Sequence, residues 1–403
     1  MSPSPFAVAS PTDPASYSWE ATDESVAARF GIPVSQVLRF DLNTSPAPPP
    51  MVAGILAANR FETPLSEYPP GDYRHLVQAA ATRYGVAADE IVPGAGADEI
   101  LDLCTKAFLP AGEAAVISIP TYAMYRIHAE QRGARVIAIA RRSKAEGWAM
   151  DVERVRAAAR EASLVWVCNP NNPTGQPEPD GAIEALLEGI VTDARAAGRD
   201  APAVVVDEAY SEFVNESVIP LRTRFPNLVA VRTASKAYAM AGLRVGFAVA
   251  APETLARIAL YRPPGSIGTI SATVVARALA DTTDMEANVA RVVAERPRLS
   301  AALAAVGWDP QPSVTNFLLL DLATAERSEA AALALMRRGL VPRTFGHGHP
   351  LAHCLRVTVR DAAGNDRLID AGSEIAPTLP PVPAPAGVSV PDSAGAATTS
   401  ETA

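Results

Sequence analysis

Short runs of small and β-branched residues recur through the middle of this chain, and each stops abruptly on polar residues. Residues 114–119 run into Pro120-Thr121-Tyr122, and 164–168 into Asn169-Pro170-Asn171-Asn172-Pro173-Thr174-Gly175. Residues 203–206 run into Asp207-Glu208-Ala209-Tyr210, and 228–233 into Ala234-Ser235-Lys236. A further apolar run fills 135–140, and helical spacing fills the intervals, as at 183–197. Near-continuous apolar strands alternating with helices imply an α/β fold, a mostly parallel sheet covered by helices on both faces. Ligands of open α/β sheets bind in the crevice beyond the strands' carboxyl ends. The polar clusters occupy those ends, which makes them one candidate site.

With 403 residues, 48% of them hydrophobic and 20% charged, the chain can bury a large core and has the composition of a globular protein. The expected organisation is an N-terminal arm with part of a small domain (1–60), a large domain (61–265), a small α+β C-terminal domain (266–376) and a disordered tail (377–403). That tail is rich in Pro, Ala, Ser and Thr. One long amphipathic helix is expected over 274–303, kinked or split at Pro297. A net charge of −9 argues against general nucleic-acid binding, which needs cations on phosphates. No apolar run is long enough for a membrane span, and no signal-peptide pattern opens the chain. Cys104, Cys168 and Cys354 show no CxxC spacing and read as reduced packing residues, consistent with a cytoplasmic location.

Each polar cluster has a plain structural reading and a chemical one. Asp207 closes an apolar strand, where a carboxylate is costly unless it caps a helix or meets a cation in a site. Lys236 follows a strand end, and a lysine withdrawn from water has a depressed pKa that suits it to attack a carbonyl. Thr233, Ser235 and Arg244 are suitable donors for a phosphate. Gly94-Ala95-Gly96 leads into a helical run at Ala97 and Asp98, where backbone N–H groups favour an anion. Tyr210 can hydrogen-bond a ring oxygen, Asn172 can present an amide, and Tyr122 can stack on a flat ring. Pyridoxal phosphate is a phosphorylated carbonyl compound with a basic ring nitrogen, and it answers all of these groups.

In this order the segments Gly94-Ala-Gly-Ala-Asp-Glu99, Pro120-Thr-Tyr122, Asn169 to Gly175, Asp207-Glu-Ala-Tyr210 and Ser235-Lys236 with Gly242-Leu-Arg244 resemble the class I/II aminotransferases, the pyridoxal-phosphate fold-type I family. The likeness runs from about residue 41 to about 372. It implies Lys236 as the Schiff-base lysine and proton carrier, Asp207 on the pyridine nitrogen, and Tyr210 and Asn172 on the ring oxygen. It implies Ala97, Asp98, Thr233, Ser235 and Arg244 around the phosphate, and a homodimer in which Tyr68 reaches the partner subunit's phosphate. Among subfamilies the chain is most similar to the histidinol-phosphate aminotransferases, through Leu42-Asn-Thr-Ser-Pro46, Tyr68-Pro-Pro-Gly-Asp72, and Arg343 ahead of Leu355-Arg-Val-Thr-Val359. That likeness implies Arg356 for a substrate α-carboxylate, Arg343 for a substrate phosphate and Asn43 beside the substrate, with an amino donor and 2-oxoglutarate as the small-molecule partners.

Two departures bear on substrate identity. Thr44 and Ser45 replace the acidic and amide residues usual in the N-terminal segment. The loop 345–353 carries His347, His349 and His353, yet no Cys or acidic ligand accompanies them there, so a polar substrate loop is expected rather than a metal site. An aromatic aminotransferase, a threonine-phosphate decarboxylase, or a non-catalytic regulator on the same fold are the alternatives.

Overall fold

The computed structural model describes residues 21–382. Its main sheet has the order Ile91–Gly94, Gly246–Ala250, Leu228–Thr233, Ala203–Asp207, Leu164–Cys168, Ala114–Ile119, Arg135–Ala140. Neighbours are parallel from Leu228–Thr233 to the Arg135–Ala140 edge, whereas Gly246–Ala250 runs antiparallel to both its neighbours. The central strands are buried at every position. Because side chains alternate along a strand, Val204 and Val206 enter one apolar cluster while Ala203 and Val205 enter the other. Helices Ala97–Phe108 and Met124–Gln131 cover the second face, and Arg74–Tyr84, Val152–Ala159 and Ala182–Ala196 cover the first. The expected α/β layering is present.

A smaller antiparallel sheet has the order Arg343–Thr344, Cys354–Thr358, Phe317–Asp321, Asp309–Pro310, with helices Thr283–Ala305, Ala325–Met336 and Ala362–Ile375 around it. The N-terminal segment joins this unit. Leu38–Arg39 pairs in parallel with Leu340–Val341, and Thr358 N–H donates to the Phe40 carbonyl at 2.8 Å. This lays residues 41–43 across the strand that carries Arg356.

The long helix expected over 274–303 is two helices, Thr269–Ala280 and Thr283–Ala305, and the break is not at Pro297. The Asp281 carboxylate accepts the Thr283 N–H at 3.1 Å and the Thr283 hydroxyl at 2.7 Å, a local bond that competes with helix continuation. Pro297 lies inside the second helix. Of the expected tail, 383–403 lies outside the described residues. Before it, Leu379 is buried against the core. Cys104, Cys168 and Cys354 are free and buried. Among the described residues no helix is long and apolar enough to cross a membrane.

Candidate active site

A cavity of about 290 Å³ lies beyond the carboxyl ends of the parallel strands and reaches under the small sheet; Asn43, Asn172, Tyr210, Lys236, Arg343 and Arg356 line it. Lys236 enters three residues after the buried strand Leu228–Thr233. Its Nζ donates to the Leu42 carbonyl at 3.2 Å and stands 5.9 Å from the centre of the Tyr210 ring. Burial, reinforced by the Arg356 charge, pushes its ammonium down to about 8. A neutral amine is therefore accessible near neutral pH.

Asp207, the last residue of its strand, caps no α-helix; the residues after it form the short turn Ser211–Phe213. Its Oδ2 accepts from the Tyr125 hydroxyl at 2.8 Å, and its Oδ1 from the Ala209 N–H at 3.1 Å. Burial nonetheless pushes its carboxyl up to about 6, and among the described residues no cation hydrogen-bonds to it. Tyr125 stacks on Trp166, with ring centres 5.2 Å apart and planes at 9°, which fixes the direction of its hydroxyl.

Tyr210, Asn43, Asn172 and Arg356 form a second group. Asn43 Nδ2 donates to the Tyr210 hydroxyl at 3.0 Å, and Arg356 Nη1 donates to Asn172 Oδ1 at 2.6 Å. Arg356 also bonds the Asp41 carbonyl. Asn43 has a left-handed φ of 54° and is held by its N–H to Thr358 Oγ1 at 3.0 Å and by its carbonyl to Asn316 Nδ2 at 2.9 Å. Arg343 and Arg356 are register partners on adjacent antiparallel strands. Such partners project from the same sheet face, and like charges there repel. Both line the cavity.

The third group surrounds the N-terminus of helix Ala97–Phe108. Thr233 and Ser235 are buried and joined by a 3.0 Å hydroxyl contact. Thr233 pairs in register with Gly246, and a Cβ at Gly246 would lie 2.6 Å from Ala97 N. Only glycine lets the strand and helix end approach this closely. The Arg244 guanidinium lies over Gly96, where an added Cβ would meet Nη2 at 2.5 Å, and its Nη2 is 3.2 Å from Asp98 Oδ2. A cation over the positive end of a helix is unfavourable by itself and suits a site that receives an anion.

The Tyr122 hydroxyl donates to Asp98 at 3.0 Å, and its ring meets Tyr125 edge-on at 5.7 Å. It lines the same cavity. Tyr68 does not line this cavity and is 93% exposed. The histidines of loop 345–353 separate. His347 faces Glu329 at 2.8 Å, and His349 lines the cavity. His353 comes near Asp321 and Cys354, an acidic group that arrives from another strand. Lys144 Nζ lies 2.8 Å from that Asp321 carboxylate.

Of the expected substrate loop, Phe345, Gly346 and His349 line the cavity, whereas Tyr125 has a place here that sequence reasoning did not assign. Tyr125 reaches Asp207 across 82 residues of sequence, so spacing carries no signal for it.

The family model for aminotransferase class I and II matches residues 41–371, most of the chain. The chain belongs to the class I and II aminotransferases. Among curated members of this aminotransferase family, it is 36% identical over 363 residues to the histidinol-phosphate aminotransferase of Roseiflexus castenholzii, covering 88% of this chain and 93% of that protein. It is 34% identical over 344 residues to that of Thermococcus gammatolerans, covering 84% and 92%. The structure superposes with a TM-score of 0.79, at 26% identity, on the histidinol-phosphate aminotransferase of Sinorhizobium meliloti in complex with pyridoxal-5'-phosphate, covering 89% of this chain and 95% of that one. The matched region of this aminotransferase begins at Asp41, just ahead of Asn43, and extends past Arg356.

Proposed function

We propose that this aminotransferase holds pyridoxal phosphate on Lys236 and moves the amino group of histidinol phosphate to 2-oxoglutarate, giving imidazole acetol phosphate and glutamate. The residues fit the cofactor on observations of this chain. The close Gly246–Ala97 approach brings the helix N-terminus to the strand that carries Thr233, with Ser235 and Arg244 beside it, a cradle of donors for a phosphate. Asp207 is a buried carboxylate short of a cation, and the protonated pyridine nitrogen is one. Tyr210, Asn172 and Tyr122 line the cavity; we assign the first two to the ring oxygen and the third to the ring.

Bound pyridoxal phosphate supplies a carbonyl carbon that captures an amine and a ring that withdraws electrons from it. Lys236 Nζ would take the proton from the donor's α-carbon and deliver it to the cofactor's former carbonyl carbon, a role that its depressed pKa suits. Asp207, steadied by Tyr125, keeps positive charge on the ring nitrogen. Arg356 takes the α-carboxylate of glutamate or 2-oxoglutarate, and Arg343 opposite takes the donor's phosphate.

The observation that carries the substrate reading is the Arg343–Arg356 pairing on one strand ladder. Two cations held side by side suit substrates that bring concentrated negative charge, a phosphate in one half-reaction and a dicarboxylate in the other. The exposure of Tyr68, with Leu65 58% and Leu260 82% exposed, supports a homodimer in which Tyr68 of one subunit reaches the partner's cradle. We place the enzyme in the cytoplasm and assign residues 61–265 and 266–376 as its large and small domains.

Steady-state assays of glutamate formation from 2-oxoglutarate test the reading. The expected result is a kcat/KM for histidinol phosphate at least a hundredfold above those for phenylalanine and tyrosine. The reverse order assigns an aromatic aminotransferase, and carbon dioxide release from threonine phosphate assigns a decarboxylase.

A further inference from the structure

Phe345 and His349 belong to a loop in which this chain departs from the pattern it resembles, and both line the cavity. Their rings stack with centres 5.0 Å apart and planes at 22°. Phe345 packs against an apolar cluster of Leu319, Leu351 and Cys354. The same Leu351 is fully buried, and its backbone N–H donates to His349 Nδ1 at 3.0 Å. The ring is thus held twice, by its face on Phe345 and by one nitrogen on an anchored amide.

That amide settles which nitrogen carries the proton. A nitrogen that accepts an N–H has its lone pair free, so in the neutral ring the proton is on Nε2. Burial and the Arg343 charge both push the imidazolium down, which favours the neutral ring. Protonation would also lose the Leu351 bond and place a third cation near Arg343 and Arg356. With Nδ1 engaged by Leu351, the donor this cavity-lining ring can offer is a neutral Nε2–H.

We infer that His349 is a substrate-binding residue that donates Nε2–H to the phosphate of the amino donor alongside Arg343. The inference rests on the function proposed above and adds a member to its substrate subsite. A phosphate dianion has three terminal oxygens, and a guanidinium fork satisfies two of them. A neutral donor beside the fork serves the remaining oxygen without adding to the repulsion between the two arginines.

The test compares the cofactor-loaded wild-type enzyme with His349→Phe and His349→Gln. Phenylalanine keeps a ring on Phe345 and removes the donor, whereas the glutamine amide can restore a donor at the Nε2 position. For histidinol phosphate the expected KM rises about 10- to 100-fold in His349→Phe, the range for a hydrogen bond to a charged group. The kcat stays within about twofold, and His349→Gln recovers most of the loss. Inorganic phosphate, used as a competitive inhibitor, weakens in His349→Phe by a similar factor.

An unchanged KM and phosphate inhibition constant in His349→Phe overturn the inference. So does a loss that His349→Gln shares in full, or one that falls on kcat alone, since either marks a packing role. Failure of the function reading appears elsewhere, as a wild-type enzyme that ignores histidinol phosphate. Phosphate inhibition is then measured against whichever donor is used. Its loss in His349→Phe supports the subsite, and its persistence overturns it.

Discussion

The Tyr125 hydroxyl donates to Asp207 Oδ2 at 2.8 Å from a ring that is stacked flat on Trp166. Asp207 therefore points in one direction before any cofactor arrives. Removing the hydroxyl in Tyr125→Phe frees the carboxylate to rotate and raises its pKa further. A hydrogen bond to a charged group contributes about 1.5–3 kcal/mol. Titration of the Tyr125→Phe apoprotein with pyridoxal phosphate is expected to show affinity weakened about tenfold or more, with the fold intact by circular dichroism.

The buried Asp207 carboxyl titrates at about 6 in the folded chain, against 3.8 for an ordinary aspartate. Between those values the folded chain binds more protons than the unfolded one, so this group lowers the apoprotein's stability as pH rises from about 4 to about 6. Asp207→Asn removes that loss. At pH 7 the variant apoprotein is expected to be more stable than wild type by on the order of 2–3 kcal/mol, with the gain absent near pH 4. The cofactor-loaded variant is expected to lose activity by at least a hundredfold. Urea unfolding of both apoproteins at the two pH values checks the sign.

Much of this site was legible because the α/β pattern puts polar clusters at strand ends, and the strands ending at Cys168, Asp207 and Thr233 do meet at one cavity. Contacts that cross the sequence were not legible. Tyr125 looks like any helical aromatic until Asp207 is placed opposite it. Asn43 depends on a left-handed backbone turn held by Thr358, more than three hundred residues away. The helix break at Asp281 was missed because proline was the louder signal. The break instead coincides with a local i→i+2 bond in which Thr283 donates to the Asp281 carboxylate.

Gly246→Ala tests the phosphate cradle. The new Cβ would fall 2.6 Å from both Ala97 N and Gly96 C, and backbone on that side cannot yield as a flexible side chain would. Overpacking of this kind costs about 1–3 kcal/mol. The expected result is a lowered melting temperature together with at least tenfold weaker binding of pyridoxal phosphate. Pyridoxal without its phosphate is expected to be less affected.

Tyr68 does not line the cavity of its own chain, so in the proposed homodimer its effect is expected to cross between subunits. Lys236→Ala and Tyr68→Ala homodimers are each expected to be impaired. Mixed and reassorted, they form heterodimers in which one site carries both defects and the other carries none. Activity above the average of the two parents is the expected outcome, and strict averaging counts against a shared site.

The most direct measurement is a half-reaction. The purified, cofactor-loaded protein is mixed with histidinol phosphate alone, and the visible absorbance of the lysine-bound cofactor is followed. The expected result is rapid loss of that absorbance with the aminated cofactor as product, recovery on adding 2-oxoglutarate, and neither change in Lys236→Ala. An absorbance unmoved by histidinol phosphate but lost with phenylalanine or tyrosine would contradict the assigned substrate and with it the phosphate role given to Arg343.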